Sequence, residues 1–186
     1  MKVDILDLVI CFTLSEFLLM LIKHSTMRTA KTRKDSGSMI LLWVMITLGF
    51  TGGFFLAKHN SWKTVNSVIT GIGLLLVFIG VIIRWAAIVQ LGKSFTVDVA
   101  ITDASILKTD GLYRRIRHPS YLGLQLIIVG FSLTMNSLYS FFVLVIPVFL
   151  AIVYRISVEE KVLINEFGDS YSQYMMSTKK LVPYIY

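Results

Sequence analysis

The chain has 186 residues, of which 55% are hydrophobic and 16% charged, and its mean hydropathy is +0.74. An ordinary soluble domain carries about 25% charged residues, so these values exclude that class and indicate an integral membrane protein. The formal charge of +7 does not indicate a nucleic-acid partner, because the basic residues cluster in short loops beside apolar runs. A single cysteine, Cys11, excludes an intrachain disulfide and a thiolate metal site, and no metal is expected.

Apolar runs of membrane-crossing length predict an all-α, polytopic membrane protein with about five transmembrane helices, forming a single membrane domain over residues 1–186. The predicted spans are residues 3–22, 39–57, 65–90, 119–135 and 138–157. The first run lacks a basic leader and a small-residue cleavage pattern, so we expect it to be a retained span. Glu16, deep in that span, is expected to be protonated, paired within the bundle or near a wet cavity.

Glycines in the second and third spans predict close helix contacts, with Gly71, Gly73 and Gly80 on a packed face of the third. Arg84 lies about one turn from the inner end of that span, where we expect it to reach lipid phosphate.

The loops at residues 23–37 and 91–117 carry much of the basic charge, and the positive-inside rule places them in the cytoplasm. The N-terminus is then outside, and the C-terminus is cytoplasmic. We expect a bacterial or archaeal plasma membrane rather than the endoplasmic reticulum.

The last two predicted spans form a C-terminal helical hairpin. Pro119 suits the first turn of a helix, because its missing N–H would have no intrahelical partner there. Asn136 and Ser137 form the outer turn, and Pro147 predicts a kink. Residues 159–177 have apolar positions at helical spacing, interrupted by Gly168, which predicts one or two short amphipathic helices that cap the hairpin on its cytoplasmic side.

Polar chemistry is concentrated in residues 108–123, KTDGLYRRIRHPSYLG, between two apolar runs. The predicted topology brings this segment to the same membrane side as residues 155–160. Arg155 and Glu159 share a helix face at a spacing of four, which suits either a salt bridge or a site. Aromatic rings beside a carboxylate attract a cation. The segments 91–121 and 155–177 are therefore predicted to form a cofactor site.

These residues resemble a known family. The sequence GLYRRIRHPSYLG is followed by R-x-x-x-E-E at residues 155–160, by FGDSYSQY at residues 167–174 and by Pro183. This joint pattern resembles the isoprenylcysteine carboxyl methyltransferase family over about residues 91–183. The RHPxYxG part alone also occurs in phospholipid N-methyltransferases and in sterol reductases.

The resemblance implies an enzyme that binds S-adenosylmethionine at the cytoplasmic membrane edge and takes a lipid-tailed small molecule or prenylated substrate from the membrane lipids. It implies that Arg155 orients the substrate. The positions that it implies for cofactor binding are Leu107, Tyr113, His118, Pro119, Ser120, Tyr121 and Glu159. Ser105 stands where the family usually has a histidine, and Lys108 stands where it usually has a valine.

The acceptor chemistry stays open at this point. A carboxylate acceptor is ionised near neutral pH and needs no general base, so catalysis would consist of alignment. A phospholipid or lipid-amine acceptor must first lose a proton, and Glu160 is the nearby candidate for a catalytic base. A sterol-type NADPH reductase is a further alternative, although the chain has no glycine-rich dinucleotide fingerprint. A non-catalytic membrane protein is the last, and the oligomeric state is also left open.

Overall fold

The computed structural model describes residues 32–35, 37–59, 66–92, 99–101 and 107–182. The first predicted span, with Cys11 and Glu16, lies outside the described residues, as do Ser105 and Pro183. In chain order the elements are strand β1 (Thr32–Asp35), helices α1 (Gly37–His59) and α2 (Ser67–Leu91), strand β2 (Val99–Ile101), a 3-10 turn (Gly111–Arg114), and helices α3 (Pro119–Thr134), α4 (Leu138–Phe167) and α5 (Asp169–Ser177).

The helical membrane fold is confirmed. Within the described ranges α1, α2 and α4 are long and apolar enough to cross a membrane, and α3 is apolar but shorter, with 16 residues. Large apolar side chains on the outer faces of α1, α2 and α4 are exposed, as expected for surfaces that meet lipid. The limits of the first three helices agree with the predicted spans to within about two residues.

The last predicted span, residues 138–157, ends ten residues before the helix that contains it does. Helix α4 passes through Pro147 and does not stop near Ser157, but continues to Phe167. The extra residues include no glycine or proline, so nothing in them breaks the helix. Gly168, with a φ of +53°, ends it by donating its N–H to the Ile164 carbonyl at 2.8 Å. Only the short helix α5 remains of the predicted amphipathic segment.

A second difference is a two-stranded antiparallel ribbon, which the all-α prediction did not include. Its register pairs Thr32 with Ile101 and Arg33 with Ala100. The ribbon joins the segment before α1 to the segment that leads to the polar motif.

Glycines allow α2 and α3 to pack backbone to backbone. A Cβ atom on Gly80 would lie 2.7 Å from the Gly123 carbonyl oxygen, and one on Gly73 would lie 2.7 Å from the Gly130 oxygen. Two pairs seven residues apart thus keep the antiparallel helices in close contact along two turns. Gly71, predicted on the same face, has no atom within 4 Å of such a Cβ and is not part of this seam.

The other helix pair is α1 with α4, where Ser140 Oγ donates to the Gly53 carbonyl at 2.8 Å. The α3–α4 turn links the two pairs along the chain, and its Asn136 is bonded to the start of α2. Asn136 Nδ2 donates to Thr70 Oγ1 at 2.8 Å, and the Asn66 N–H donates to Asn136 Oδ1 at 3.1 Å. The opposite end of the bundle therefore collects the start of α1, the end of α2, the start of α3 and the last turns of α4.

Candidate functional site

Tyr121, in the first turn of α3, lies between two opposite charges of α4. Its hydroxyl donates to Glu159 Oε2 at 2.9 Å and accepts from Arg155 Nε at 3.2 Å. The predicted shared face of Arg155 and Glu159 is thus observed, and both side chains meet at one phenolic oxygen. The arrangement holds a carboxylate and a guanidinium side by side at the end of the bundle.

Arg155 is a buried cation, with 1% of its surface exposed. Its Nη1 donates to Ser38 Oγ at 2.7 Å, and Ser38 in the first turn of α1 is equally buried. A buried charge must be hydrogen-bonded, so this hydroxyl helps to fix the guanidinium. The sequence did not reveal Ser38, because 117 residues separate it from Arg155 and a single serine before an apolar run carries no recognisable pattern.

Glu160 forms a second charged cluster with three basic side chains. Its Oε1 accepts from Arg117 Nε at 2.8 Å and lies 3.3 Å from His118 Nε2, while Lys180 Nζ is 3.5 Å from Oε2. His118 therefore contacts Glu160 rather than Glu159, although its ring lies 5.8 Å from the Tyr121 ring. The two clusters adjoin through the His118–Tyr121 contact.

The end of the described chain is clamped onto the RHP motif. Arg117 Nη1 donates to the carbonyl oxygens of Met175 and Thr178, the former at 3.1 Å. The backbone N–H of Arg117 donates to Lys179 O at 2.8 Å, and that of His118 donates to Lys180 O at 3.1 Å. These contacts could not be predicted from the sequence, because 61 residues separate Arg117 from Thr178.

Tyr113 connects α5 to α2. Its carbonyl accepts from Tyr174 Oη at 2.6 Å, and its own hydroxyl donates to the Ala87 carbonyl at 3.2 Å. Burial raises the pKa of Tyr174 to about 12 and raises the pKa of Tyr113 as well. Both hydroxyls therefore remain protonated donors at neutral pH.

The other predicted positions lie along the same edge. Leu107 is half-buried, and Pro119 is buried at the first position of α3. Ser120 accepts from Arg84 Nη1 through its Oγ at 3.2 Å and its carbonyl at 3.3 Å. Arg84 Nη1 is thus directed toward the start of α3, and the contact of Arg84 with lipid phosphate stays a prediction. Lys108 lies 2.9 Å from Asp110, and this hydrogen bond lowers the pKa of the aspartate.

Charged and aromatic side chains lie together at one end of a bundle of apolar helices. This combination is typical of an integral membrane protein with an enzyme-like site at the membrane edge. Residues 72–165 match the isoprenylcysteine carboxyl methyltransferase (ICMT) family. The chain belongs to this family of membrane methyltransferases, which confirms the resemblance identified from the sequence.

Individual relatives support the assignment. The chain is 30% identical over 182 residues to protein-S-isoprenylcysteine O-methyltransferase A of Arabidopsis thaliana, covering 95% of this chain and 89% of the relative. It is 34% identical over 109 residues to the enzyme of the same name from Schizosaccharomyces pombe, covering 58% of this chain and 46% of that one. A solved structure of the eukaryotic intramembrane Ras methyltransferase ICMT matches with a TM-score of 0.58 and 26% identity. The match covers 78% of this chain and 52% of the solved one.

Proposed function

We propose that this chain transfers a methyl group from S-adenosylmethionine to the carboxylate of an isoprenylcysteine or a related lipid-tailed acid at the membrane edge. The observation that carries the proposal is the Arg155–Tyr121–Glu159 cluster at the ends of apolar helices. The relatives are named as O-methyltransferases of protein-S-isoprenylcysteine, which makes that substrate class the first candidate.

The side chains at this edge fit a cofactor that has a sulfonium and an ammonium group. Glu159 is half-buried, and its Oε2 accepts from the Tyr121 hydroxyl. A carboxylate binds an ammonium group, and aromatic faces attract a positive sulfur. The residues that would hold the cofactor are Leu107, Tyr113, His118, Pro119, Ser120, Tyr121 and Glu159. When bound, S-adenosylmethionine supplies a methyl group on a cationic sulfur, which leaves as a neutral thioether.

Arg155 orients the acceptor. Its guanidinium would pair with one oxygen of the acceptor carboxylate and leave the other oxygen free to accept the methyl group. Because Arg155 is buried, this ion pair is screened less than it would be in water. A carboxylate already carries the attacking electron pair at neutral pH, so no proton has to be removed and positioning supplies the catalysis.

Glu160, named above as a candidate base, suits a positioning role better. Its two oxygens face Arg117, His118 and Lys180, and this positive surrounding stabilises the carboxylate anion and makes it a poor proton acceptor. Glu160 thereby holds the His118 ring and the chain end in place. An amine acceptor would need a base, so this geometry favours the carboxylate over the phospholipid or lipid amine.

The site and the C-terminus face the cytoplasm in this proposal, and the N-terminus lies outside, as the basic loops indicate. The relatives and the solved structure reported above are eukaryotic. They give no support to the bacterial or archaeal plasma membrane that we expected from the sequence, and favour the endoplasmic reticulum.

Calorimetric titration of the detergent-solubilised chain with S-adenosylmethionine and NADPH in parallel tests the cofactor. Binding of S-adenosylmethionine alone is expected, and Glu159→Gln should weaken it about tenfold or more because the ammonium loses its charged partner. Binding of NADPH alone would overturn the proposal in favour of a reductase.

A further inference from the structure

Tyr171 in α5 carries a hydroxyl that the contacts described so far do not use. The residue is 1% exposed, and its Oη has no hydrogen-bond partner within the described part of the chain. Tyr174, three residues further on the same helix, gives a direct comparison: the two rings are 5.9 Å apart, and the Tyr174 hydroxyl is bonded to the Tyr113 carbonyl. Among the described residues, one tyrosine of the pair thus has a hydrogen-bond partner and the other has none.

A buried hydroxyl without a partner costs free energy, whereas phenylalanine would fill nearly the same volume without that cost. Most buried polar groups are satisfied in a folded protein, so the missing partner of Tyr171 is expected to be a molecule that is bound there in use.

The position of α5 brings Tyr171 to the proposed cofactor edge. The helix is held against the RHP motif by the bond from Arg117 to Met175 O and by the bond from Tyr174 to Tyr113 O. Burial raises the pKa of Tyr171, and the negative charges of Glu160 and Glu159 raise it further, so both carboxylates act on this hydroxyl. At neutral pH it is a protonated donor near two anions.

The chemistry of the amino-acid end of the cofactor identifies a partner. Its ammonium and carboxylate groups are attached to the same carbon, so an ammonium held by Glu159 brings an anionic carboxylate close to the two glutamates. That carboxylate needs a hydrogen-bond donor. Arg117, His118 and Lys180 are engaged with Glu160, whereas the Tyr171 hydroxyl has no hydrogen-bond partner in the described ranges.

We propose that Tyr171 Oη donates a hydrogen bond to the α-carboxylate of S-adenosylmethionine and is a cofactor-binding residue of this site. The proposal rests on the proposed function, since it requires that cofactor. It assigns to α5 a direct part in recognising the amino-acid end, in addition to its packing against the RHP motif.

The test compares two ligands on two variants of the full detergent-solubilised chain. S-adenosylmethionine and decarboxylated S-adenosylmethionine differ only in the α-carboxylate, and binding of each is measured by calorimetry. Tyr171→Phe should weaken S-adenosylmethionine about tenfold, the loss typical of a hydrogen bond to a charged group, and change the affinity for the decarboxylated ligand by less than about twofold. Its melting temperature without ligand should not fall, because the described part of the chain offers this hydroxyl no hydrogen bond to lose.

Tyr174→Phe is the matched control. It removes a hydroxyl that has a protein partner, so it should lower the melting temperature by about 2–4 °C and should not discriminate between the two ligands.

If Tyr171→Phe leaves both affinities unchanged, the hydroxyl is paired with water and the inference is overturned. Equal weakening of both ligands would also overturn it, because the effect would then be one of packing. If the wild-type chain binds neither ligand, the proposed function fails as well, so the two failures are distinguishable.

Discussion

Arg155 is the residue on which the proposed reaction depends, because its guanidinium is buried and held by two hydroxyls from different helices. The planar, fixed donors of a guanidinium bind a carboxylate better than the mobile ammonium group of a lysine does. The same burial makes the residue sensitive to any change in its partners.

Replacing Arg155 should impair the acceptor much more than the cofactor. For Arg155→Ala we expect a loss of about 100-fold or more in kcat/KM for the acceptor, with a change of less than about threefold in the Kd of S-adenosylmethionine. Arg155→Lys keeps the charge and most of the volume, so it is the control for a loss of activity caused by misfolding. It should still lose most of the activity. Equal losses in acceptor turnover and cofactor binding would contradict the assigned role.

Ser38 acts through Arg155. Ser38→Ala removes the hydroxyl that fixes Nη1, so the acceptor KM should rise about fivefold while the cofactor Kd stays constant. Ser38→Thr retains a hydroxyl and should restore the KM if the added methyl is accommodated in the first turn of α1. Steady-state kinetics at saturating cofactor measure the effect. An unchanged KM in the alanine variant would show that the guanidinium does not need this bond.

At this scale the sequence located the motif residues but not their pairing. The RHP motif and the R-x-x-x-E-E pattern each predicted a polar cluster, and the structure brings both to one edge. The His118 ring contacts Glu160, and this pairing was not predicted, because adjacent residues on a helix point about 100° apart and the sequence does not fix which one faces the ring. Ser38 and Lys180 were missed, since their role arises only from contacts between distant segments.

At the scale of elements, the α2–α3 seam positions the start of α3, where Tyr121 lies. Gly123 approaches α2 so closely that an added Cβ would lie 2.7 Å from both the Arg84 backbone nitrogen and the Gly80 carbonyl oxygen. Both neighbours are backbone atoms, so relief requires the helices to move apart.

Gly123→Ala is therefore expected to be destabilising. The melting temperature in detergent should fall by about 5 °C or more, since overpacking of this kind costs about 1–3 kcal/mol. Gly71→Ala is the control in the same pair of helices: nothing lies within 4 Å of its Cβ, and alanine is the better helix former. It should leave the melting temperature unchanged or raise it slightly. If the two variants melt alike, the close seam is not what holds this pair.

The sequence predicted the helices better at their starts than at their ends. Pro119 marked the start of α3 by its missing N–H, and this signal is local. The end of α4 was misjudged because charged residues after Ser157 indicate where the lipid ends, which is not where the helix ends. The ribbon of β1 and β2 pairs segments far apart in sequence, and no local pattern predicts such a pairing.

At the scale of the whole molecule, buried tyrosines are expected to limit stability at alkaline pH. Burial raises the pKa of Tyr174 to about 12 and moves the pKa of Tyr113 and Tyr171 in the same direction. Unfolded tyrosines ionise near pH 10, as their ordinary pKa of about 10 implies. The stability from the protonated hydroxyls is thus fully present below pH 10 and is lost as the pH rises from 10 through 12.

Melting temperatures of the detergent-solubilised chain should therefore be steady from pH 8 to 9.5 and fall above pH 10. Tyr174→Phe cannot ionise at that position, so its melting temperature, although lower at neutral pH, should decline less steeply with pH. A variant that declines as steeply as the wild type would show that Tyr174 does not contribute to the alkaline transition.

The central claim is that the polar edge of this bundle directs a methyl group to a carboxylate on a lipid-tailed acceptor. Its most direct test is methyl transfer from tritium-labelled S-adenosylmethionine to N-acetyl-S-farnesylcysteine or phosphatidylethanolamine by the purified chain in detergent micelles. We predict a base-labile methyl ester on the farnesylcysteine, no product on the amine lipid, and a loss of about tenfold or more in Glu159→Gln at subsaturating cofactor, matching its weaker cofactor binding. A base-stable methyl group on the amine lipid, or no transfer to either acceptor, would contradict the account.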